Sequence, residues 1–555
     1  MSLGRRDFII GTAGVATTVG LLDGCGESDG AAKPDAGPPD AGSAQVADLP
    51  VDASIFAHGV ASGDPLQDGV VLWTRLSTAT IPAIYMEWTL SSDPELRELV
   101  QSNQVSANAV EDYTVKVSVS GLEPGTTYYY AFSIPGSGVR SVIGRTRTLP
   151  KQSEHARIVF TSCANYQNGF FTAYRAIAKR QDLDLWVHLG DYIYEYENGK
   201  YGSLVVERPL VPPTETLTLA DYRARYAHYR SDPDLQELHR LHPMVAVWDD
   251  HEFANNAYTD DAENHNEELG EGAWIDRKRA ASQAFLEWLP IRVPQADPVA
   301  KIFRSFAFGD LFDLIMLDTR MIGRSKQAGD DLAPGVAVGE QNQWSDPTRQ
   351  IIGTEQEQWF LQTLSASRNR SATWRLIGNQ VIFSQTRSPG TERSILFSDF
   401  WDGYQPARQR VIDHILSQGI QNVVFLTGDI HSSWAMEISK DPFLPVVEPP
   451  FAVELVGPSV TSLAFEDNPG AAGLVQVLLD ANPHVKFGEA TRKGYVLVDL
   501  TPARMQAEWY WVKDVKVATE SAEELMRMFT CEKNSAHLVA ASAPSPEKDP
   551  IARPS

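Results

Sequence analysis

The chain has 555 residues, of which 43% are hydrophobic and 22% charged, and its formal net charge is −24. This length exceeds what a single hydrophobic core organises, so we expect two or more domains of ordinary globular composition. The acidic charge disfavours nucleic acid and anionic lipid as electrostatic partners. It would also repel phosphate-bearing substrates unless cations near the site reverse the local field. We expect a monomer with no nucleic-acid-binding surface.

Residues 1–25 predict an export signal. Arg5 and Arg6 precede a short apolar region, and this arrangement is similar to the Tat signals that export folded proteins. The run Leu22-Asp23-Gly24-Cys25 resembles a bacterial lipobox, in which Cys25 would carry the lipid; the alternative is cleavage nearby with Cys25 incidental. Residues 26–50, rich in Gly, Ala, Pro and Asp, predict a flexible linker. We therefore expect the Tat machinery as a partner and a periplasmic or cell-surface location, with anchoring through Cys25.

Residues 51–150 predict a small all-β domain, because short apolar runs alternate with turns rich in Pro and Gly. The predicted strands cover residues 69–76, 84–90, 113–119, 127–134 and 142–148. Residues 122–130, Leu-Glu-Pro-Gly-Thr-Thr-Tyr-Tyr-Tyr, look like the tyrosine corner of an immunoglobulin or fibronectin type III sandwich. We interpret residues 58–65 as a loop, made of ordinary turn residues or in contact with the next domain.

From residue 156 onward, buried strands alternate with amphipathic helices, which predicts an α/β domain. The strands are predicted at residues 157–161, 183–189, 243–248, 311–317, 374–377 and 423–427, and the helices at 170–179, 219–229 and 272–289. Each strand ends in polar residues. Ligands of α/β sheets bind outside the carboxyl ends of the strands, so we expect a site at this edge.

The residue types at these strand ends indicate bound metal. The strand ends contribute Asp, Asn, His, Cys and Tyr side chains, and many carboxylates at one edge would repel each other unless cations lay between them. Asp and Asn oxygens suit hard cations, His suits a transition metal, and added Cys and Tyr favour Fe(III). The alternative for Cys163 is a small buried apolar residue. We interpret His188, inside a strand, as a core residue.

Four motifs, in this order along the chain, resemble the signature of PhoD-type alkaline phosphatases, a branch of the calcineurin-like metallophosphoesterase superfamily. They are Ser162-Cys163, Gly190-Asp191-Tyr192-Ile193-Tyr194, Trp248-Asp249-Asp250-His251-Glu252 with Asn255-Asn256, and Gly428-Asp429-Ile430-His431. Residues 274–288 also fit that family. The resemblance implies a four-layer α/β/β/α metallophosphoesterase sandwich over residues 151–515, preceded by an immunoglobulin- or fibronectin-like β domain.

The resemblance also implies a set of metal ligands. The family's iron(III) ligands fall on Cys163, Asp191, Tyr194 and His431. Asp191 would bridge to a Ca²⁺ site that Asn255 and Asp429 complete, and a second Ca²⁺ would lie near Asp250.

In such a site the nucleophile would be a metal-bridging oxide or hydroxide. Arg277 would hold the substrate phosphate through two parallel hydrogen bonds. His251 would protonate the leaving alkoxide, or orient Asp250 or a bound water.

These inferences predict an exported alkaline phosphatase and phosphodiesterase that hydrolyses phosphate mono- and diesters and releases phosphate for scavenging. The alternative within the family is a phospholipase D-like or polymer-specific phosphodiesterase. From another class, we consider a surface adhesion module attached to a degenerate enzyme.

Two further groups of residues complete the interpretation. Gly378-Asn379-Gln380, Asp318 and Arg320 are expected just outside the metal ligands, with ordinary strand ends as the alternative. Strands are predicted at 452–456, 494–500 and 505–512. In residues 516–555 we expect a short helix over 522–529, which in this family can be a lid over the site, and then a tail.

Overall fold

The structure is a computed structural model. It describes residues 45–554 except 78–81, 203–207, 295, 297, 329–343, 388–396, 445, 447, 465–469 and 521. The predicted Tat signal, the lipobox and most of the predicted linker lie outside the described residues. Among the residues that the structure describes, no helix has the length and apolar character needed to cross a membrane.

The described residues form twenty-one strands and seven α-helices longer than one turn. In chain order the strands are β1 (Val60–Gly63), β2 (Gly69–Arg75), β3 (Ala83–Ser91), β4 (Leu99–Asn108), β5 (Thr114–Ser120), β6 (Thr127–Ser133), β7 (Gly144–Arg147), β8 (Ala156–Thr161), β9 (Leu185–His188), β10 (Met244–Ala246), β11 (Arg304–Phe308), β12 (Phe312–Met316), β13 (Trp374–Gly378), β14 (Val423–Thr427), β15 (Ser433–Ile438), β16 (Ala452–Val456), β17 (Val485–Glu489), β18 (Gly494–Leu500), β19 (Arg504–Val512), β20 (Glu523–Glu532) and β21 (Val539–Ala540). The helices are α1 (Thr172–Lys179), α2 (Leu219–Arg230), α3 (Pro233–Leu241), α4 (Trp274–Trp288), α5 (Gly353–Asn369), α6 (Gln405–Ser417) and α7 (Ala471–Ala481).

The strands form three sheets. The first sheet has the order β21-β20-β19-β18-β8-β9-β10-β1-β2-β5, the second β11-β12-β13-β14-β16-β15-β17, and the third β4-β3-β6-β7. Strands β8, β9 and β10 are parallel to one another, as are β12, β13, β14 and β16. The carboxyl ends of the parallel strands therefore lie together at one edge of each sheet.

The period-two alternation of buried strands divides the apolar side chains between two cores. In β12, Leu314 and Met316 belong to the larger core, together with residues of the first sheet. Ile315, between them, belongs to a second core with Phe360 of α5 and Ile412 of α6. Helices α1 to α4 contribute to the larger core, so the two sheets lie between two groups of helices. This arrangement confirms the predicted four-layer α/β/β/α sandwich.

The first sheet also includes three strands of the all-β region that precedes residue 150. Strand β1 pairs in parallel with β10 through Gly63 and Met244, and β2 and β5 extend the sheet from there. A Cβ atom on Gly63 would lie 2.6 Å from the carbonyl oxygen of Met244, so the close approach requires glycine. Beside it, Asp64 forms a 2.7 Å ion pair with Arg304. The loop interpretation of residues 58–65 is therefore wrong for residues 60–63, which form β1, whereas the contact of the segment with the next domain is confirmed.

The buried strands and amphipathic helices agree with the pattern-based predictions to within a few residues. Strand β4 was not predicted because most of its side chains are polar and at least partly exposed. The predicted helix over residues 522–529 is wrong, since these residues lie in or beside β20, which pairs with β19 along nine residues. Phe529 also packs against Trp509, with ring centroids 6.1 Å apart. This pairing overrides the local helix propensity, so the helical lid loses its basis.

Residues 541–554 form a C-terminal strap along the first sheet. The buried Arg157 side chain donates to the carbonyl oxygen of Pro546 at 2.5 Å. Further along, Arg145 of β7 donates to the carbonyl oxygen of Ile551 at 2.8 Å, and Tyr129 of β6 donates to that of Ala552 at 2.9 Å. The strap thus ties the third sheet to the first through hydrogen bonds of buried side chains.

We expect deletion of residues 544–555 to lower the free energy of unfolding by roughly 2–5 kcal/mol, because the buried Arg145 and Arg157 side chains lose acceptors. Denaturant unfolding of both proteins measures the difference. The control is Lys301→Ala, which removes a solvent-exposed ion pair with Glu355 and should cost less than about 1 kcal/mol. A truncated protein as stable as the full chain would contradict a stabilising role of the strap.

Candidate metal centre

The candidate site begins where parallel strands end. Cys163 follows β8, Asp191 follows β9 and Asp429 follows β14, and His431 lies two residues further on. Their φ angles are 62°, 55°, 63° and 58°, which is the left-handed region that non-glycine residues rarely adopt. Such strained residues persist only where the surrounding structure holds them, and they cluster at functional sites.

Three groups of potential ligand atoms share members at this edge. They are Cys163, Asp191 and His431; Asp191, Asp250 and His251; and Asp249, Asp250 and Asp429, and the atoms of each group lie within 4.8 Å of one another. Asp191 belongs to the first two groups and Asp250 to the last two. The arrangement is therefore a chain of three overlapping candidate sites.

Tyr194 joins the first group. Its hydroxyl oxygen lies 3.0 Å from Oδ2 of Asp191 and 3.1 Å from Nε2 of His431. Nδ1 of His431 lies 2.6 Å from the carbonyl oxygen of Leu463, which can only accept a hydrogen bond. Nδ1 therefore carries the proton and leaves Nε2 available as a ligand, as in many metal sites. Thiol, carboxyl, phenol and imidazole groups thus surround one point.

The chemistry of these residues fits bound cations. Oδ1 of Asp191 and Oδ1 of Asp250 are buried, and neither has a hydrogen-bond partner among the described residues. Burial, with the charge of Asp191, raises the pKa of the Cys163 thiol and of the Tyr194 phenol well above their usual values. Burial also raises the pKa of Asp429, with Asp249 adding to the effect. Metal ions in contact with these groups would reverse those shifts and supply the missing partners.

Glu252 holds the ends of two strands in position. Its Oε2 accepts from the backbone N–H of Asp191 at 3.0 Å and of Asp249 at 2.8 Å, and its Oε1 accepts from that of Tyr192 at 2.6 Å. A Cβ atom on Gly190 would lie 2.5 Å from the Asp249 nitrogen, so the two strand ends approach very closely here. Burial raises the pKa of Glu252 to about 8, although the three donors act in the opposite direction.

His251 is oriented by a second buried carboxylate. Its Nδ1 lies 2.7 Å from Oε2 of Glu195, while its ring stacks on Tyr194 with centroids 4.1 Å apart. Burial opposes protonation of His251, but the charges of Glu195, Asp250 and Asp191 together raise its pKa well above the usual value. Glu195 thus fixes the orientation of His251 beside the ligand groups.

Arg320 is the guanidinium that contacts the carboxylates of the site. It is fully buried and donates to Asp249 at 2.5 Å, to Asp399 at 3.0 Å and to Asp429 at 2.8 Å. Arg320, one of the residues expected just outside the ligands, therefore lies directly beside them. The side chains of Asn379 and Gln380 instead bond to neighbouring strand ends, and Asp318 accepts from the backbone N–H of Arg320.

The structure places Arg277 in a buried network of its own. Its guanidinium donates to Glu215 at 2.8 Å and to the hydroxyl of Tyr222 at 3.0 Å. Asn264 accepts from Arg277 through its carbonyl oxygen and donates its side-chain amide to Glu195, which connects this network to His251. To hold a substrate phosphate, Arg277 would exchange at least one of these bonds, and that role stays a prediction.

Asn255 donates its side-chain amide to Glu263 at 3.0 Å. Its role as a Ca²⁺ ligand also stays a prediction. Asp429 lies with Asp249 and Asp250 rather than in a group with Asp191.

Sequence reasoning missed Asp249, Glu195 and Glu252, which directly adjoin predicted ligands. The available signal for these residues was a charged residue type among neighbours that are predicted to be buried. The core interpretation of His188 is confirmed, because it is fully buried and both its ring nitrogens are engaged, by the Tyr174 hydroxyl and by the backbone N–H of Gly190.

We expect Glu252→Gln to reduce metal affinity by roughly 10- to 100-fold, because an amide group cannot accept from all three backbone N–H groups. Metal content after dialysis measures the loss. The matched control is Glu454→Gln, since Glu454 is also fully buried and accepts from the backbone N–H of Phe383 and Ser384. Equal metal loss in both variants at equal stability would contradict a positioning role of Glu252.

Comparison with known proteins places this arrangement in a family. The family model described as PhoD-like phosphatase matches residues 158–509, and that of the PhoD-like phosphatase N-terminal domain matches residues 42–150. Alkaline phosphatase D of Bacillus subtilis (strain 168) is 37% identical over 469 residues, which are 82% of this chain and 77% of that protein.

Solved structures give the same answer. The structure described as that of PhoD matches with a TM-score of 0.80 and 34% identity, covering 91% of this chain and 95% of that one. Purple acid phosphatase PPD1 from yellow lupin (Lupinus luteus) seeds matches in fold alone, with a TM-score of 0.51 and 13% identity over 85% of this chain and 73% of its own. The chain therefore belongs to the PhoD-like phosphatase family and is an alkaline phosphatase, a metal-dependent hydrolase of phosphoric esters.

Proposed function

We propose that this chain is an exported phosphatase that hydrolyses phosphate mono- and diesters with one Fe(III) and two Ca²⁺ ions, and that it releases phosphate for scavenging. The observation that carries this proposal is the meeting of Cys163, Asp191, Tyr194 and His431 around one point beside two carboxylate-rich groups.

The donor set of the first group favours a trivalent ion. A thiolate, a phenolate and a carboxylate together carry three negative charges, and His431 adds a neutral nitrogen. Cys163, Asp191, Tyr194 and His431 would therefore hold Fe(III). The neighbouring groups, with Asp249, Asp250, Asp429 and the predicted ligand Asn255, offer the hard oxygen atoms that Ca²⁺ prefers.

When bound, the ions would supply positive charge to the phosphoryl oxygens and lower the pKa of the attacking water. His251 would give its proton to the leaving oxygen, since Glu195 fixes the orientation of the ring through Nδ1. Arg277, after exchange of Glu215 or Tyr222, would orient the phosphate through its parallel N–H groups. Arg320 would keep Asp249 and Asp429 in place beside the reacting group.

The test is Tyr194→Phe, assayed with a chromogenic phosphate monoester and diester, with and without Ca²⁺. The unmodified enzyme should show an intense visible charge-transfer band from tyrosinate bound to iron. We expect the variant to lose this band and at least about 100-fold in kcat, because the trivalent ion loses an anionic ligand.

Tyr85→Phe is the control, because it removes a hydroxyl from a tyrosine that is 71% exposed on β3, a strand that carries none of the proposed ligands. A variant at Tyr194 that keeps both colour and rate would show that this ligand is wrong. A colourless enzyme fully active with zinc would overturn the iron proposal as a whole.

We further propose Tat-dependent export with a lipid on Cys25, supported by Arg5 and Arg6 and by the lipobox-like run at Leu22-Asp23-Gly24-Cys25. Cys25→Ser should move the exported protein from the membrane fraction to the soluble fraction while leaving its specific activity unchanged. Arg5→Lys combined with Arg6→Lys is the companion variant, and it should prevent export. Export that persists without the arginine pair would contradict the Tat route.

A further inference from the structure

Within the three groups of ligand atoms, the partly exposed members are Asp429 and His431. Cys163 and Asp191 are each 1% exposed and Asp250 is 3% exposed, so these residues lie deep in the site. Asp429 and His431, by contrast, are partly exposed. A phosphate ester therefore approaches from the side of Asp429 and His431, and the residues around them contact whatever group the phosphate carries.

Two partly exposed tyrosines stand on this side. The Tyr201 ring lies 6.5 Å from that of His431, and the Tyr196 ring lies 5.3 Å from those of Tyr201 and His251. We call Tyr196 and Tyr201 the tyrosine wall. Lys200 extends over it, with Nζ 5.6 Å from the centre of the Tyr196 ring.

Buried side chains hold the backbone of the tyrosine wall. The carbonyl oxygen of Tyr201 accepts from Nδ2 of Asn168 at 2.8 Å, and that of Tyr196 accepts from the guanidinium of Arg225 at 3.1 Å. Both donors are almost completely buried. These bonds fix the backbone positions from which the two rings extend.

The two sides of the approach differ in chemistry. Asp429 offers a carboxyl group that belongs to the proposed metal ligands and contacts Arg320. The tyrosine wall presents the aromatic rings of Tyr196 and Tyr201. Aromatic side chains bind planar rings by stacking, largely independently of the identity of the ring.

We propose that the tyrosine wall stacks on a planar aromatic or heteroaromatic group of the substrate, so that phosphate esters carrying such a group near the phosphate are preferred. This inference rests on the proposed function, since it names the substrate class of the same site. Tyr201 determines specificity here without touching the reacting atoms.

The test compares two monoesters that differ at the anomeric carbon, which carries adenine in one and a hydroxyl group in the other. Adenosine 5′-monophosphate and ribose 5-phosphate carry the same primary phosphate ester, and ribose 5-phosphate lacks the base. We expect kcat/KM to be about tenfold higher for adenosine 5′-monophosphate, with most of the difference in KM, since stacking changes affinity more than the chemical step.

Tyr201→Leu should reduce this ratio to near one, whereas Tyr201→Phe, which keeps the ring, should retain it. Tyr85→Leu, at a tyrosine 71% exposed on β3, is the control and should leave the ratio unchanged.

The possible outcomes distinguish the stacking inference from the proposed function. A ratio near one in the unmodified enzyme, with both esters hydrolysed, would overturn the inference and leave the proposed function standing. Parallel losses on both esters in Tyr201→Leu would mean that the wall only shields the ligand groups, which also overturns the inference. Hydrolysis of neither ester by the metal-loaded enzyme would refute the proposed function together with the inference.

Discussion

The site depends first on one buried carboxylate. Glu252 accepts three backbone N–H groups at the ends of β9 and β10, and these ends carry Asp191 and Asp249. Backbone donors held by one acceptor cannot move independently, so the left-handed conformation of Asp191 is imposed by its surroundings. The metal ligands are thus positioned by hydrogen bonds that would remain if the metals left.

The second constraint is charge. Asp191, Asp249, Asp250 and Asp429 converge in a buried region where each raises the cost of ionising the others. Arg320 offsets part of this repulsion through its contacts with Asp249 and Asp429. Bound cations would offset the remaining repulsion, and this would allow an acidic protein to bind anionic substrates. The same residues would therefore hold the cations whose charge attracts a phosphate to the site.

The sequence predicted what depends on local pattern. Buried strands, amphipathic helices and polar strand ends are properties of neighbouring residues, so an α/β domain with polar groups at one sheet edge could be expected from them. The four-layer arrangement and the grouping of Asp191 with Cys163 and His431 were expected from the resemblance to the PhoD family. The sequence-based prediction failed where a contact with residues distant in the sequence determines the local structure. Residues 522–529 become part of a strand only because β19 offers a free edge, and Glu252 is important only because it points at backbone groups sixty residues away. Neither relation leaves a periodic signal in the chain.

The junction between β1 and β10 has a consequence for how this protein is built. Strand β10 is three residues long and fully buried, with β9 on one side and β1 on the other. Without β1, the hydrogen-bonding groups of β10 would form an exposed sheet edge, which is a template for aggregation. The β-rich amino-terminal region thus protects the strand that leads to Asp249, so that removing this region would uncover a sheet edge beside the candidate site.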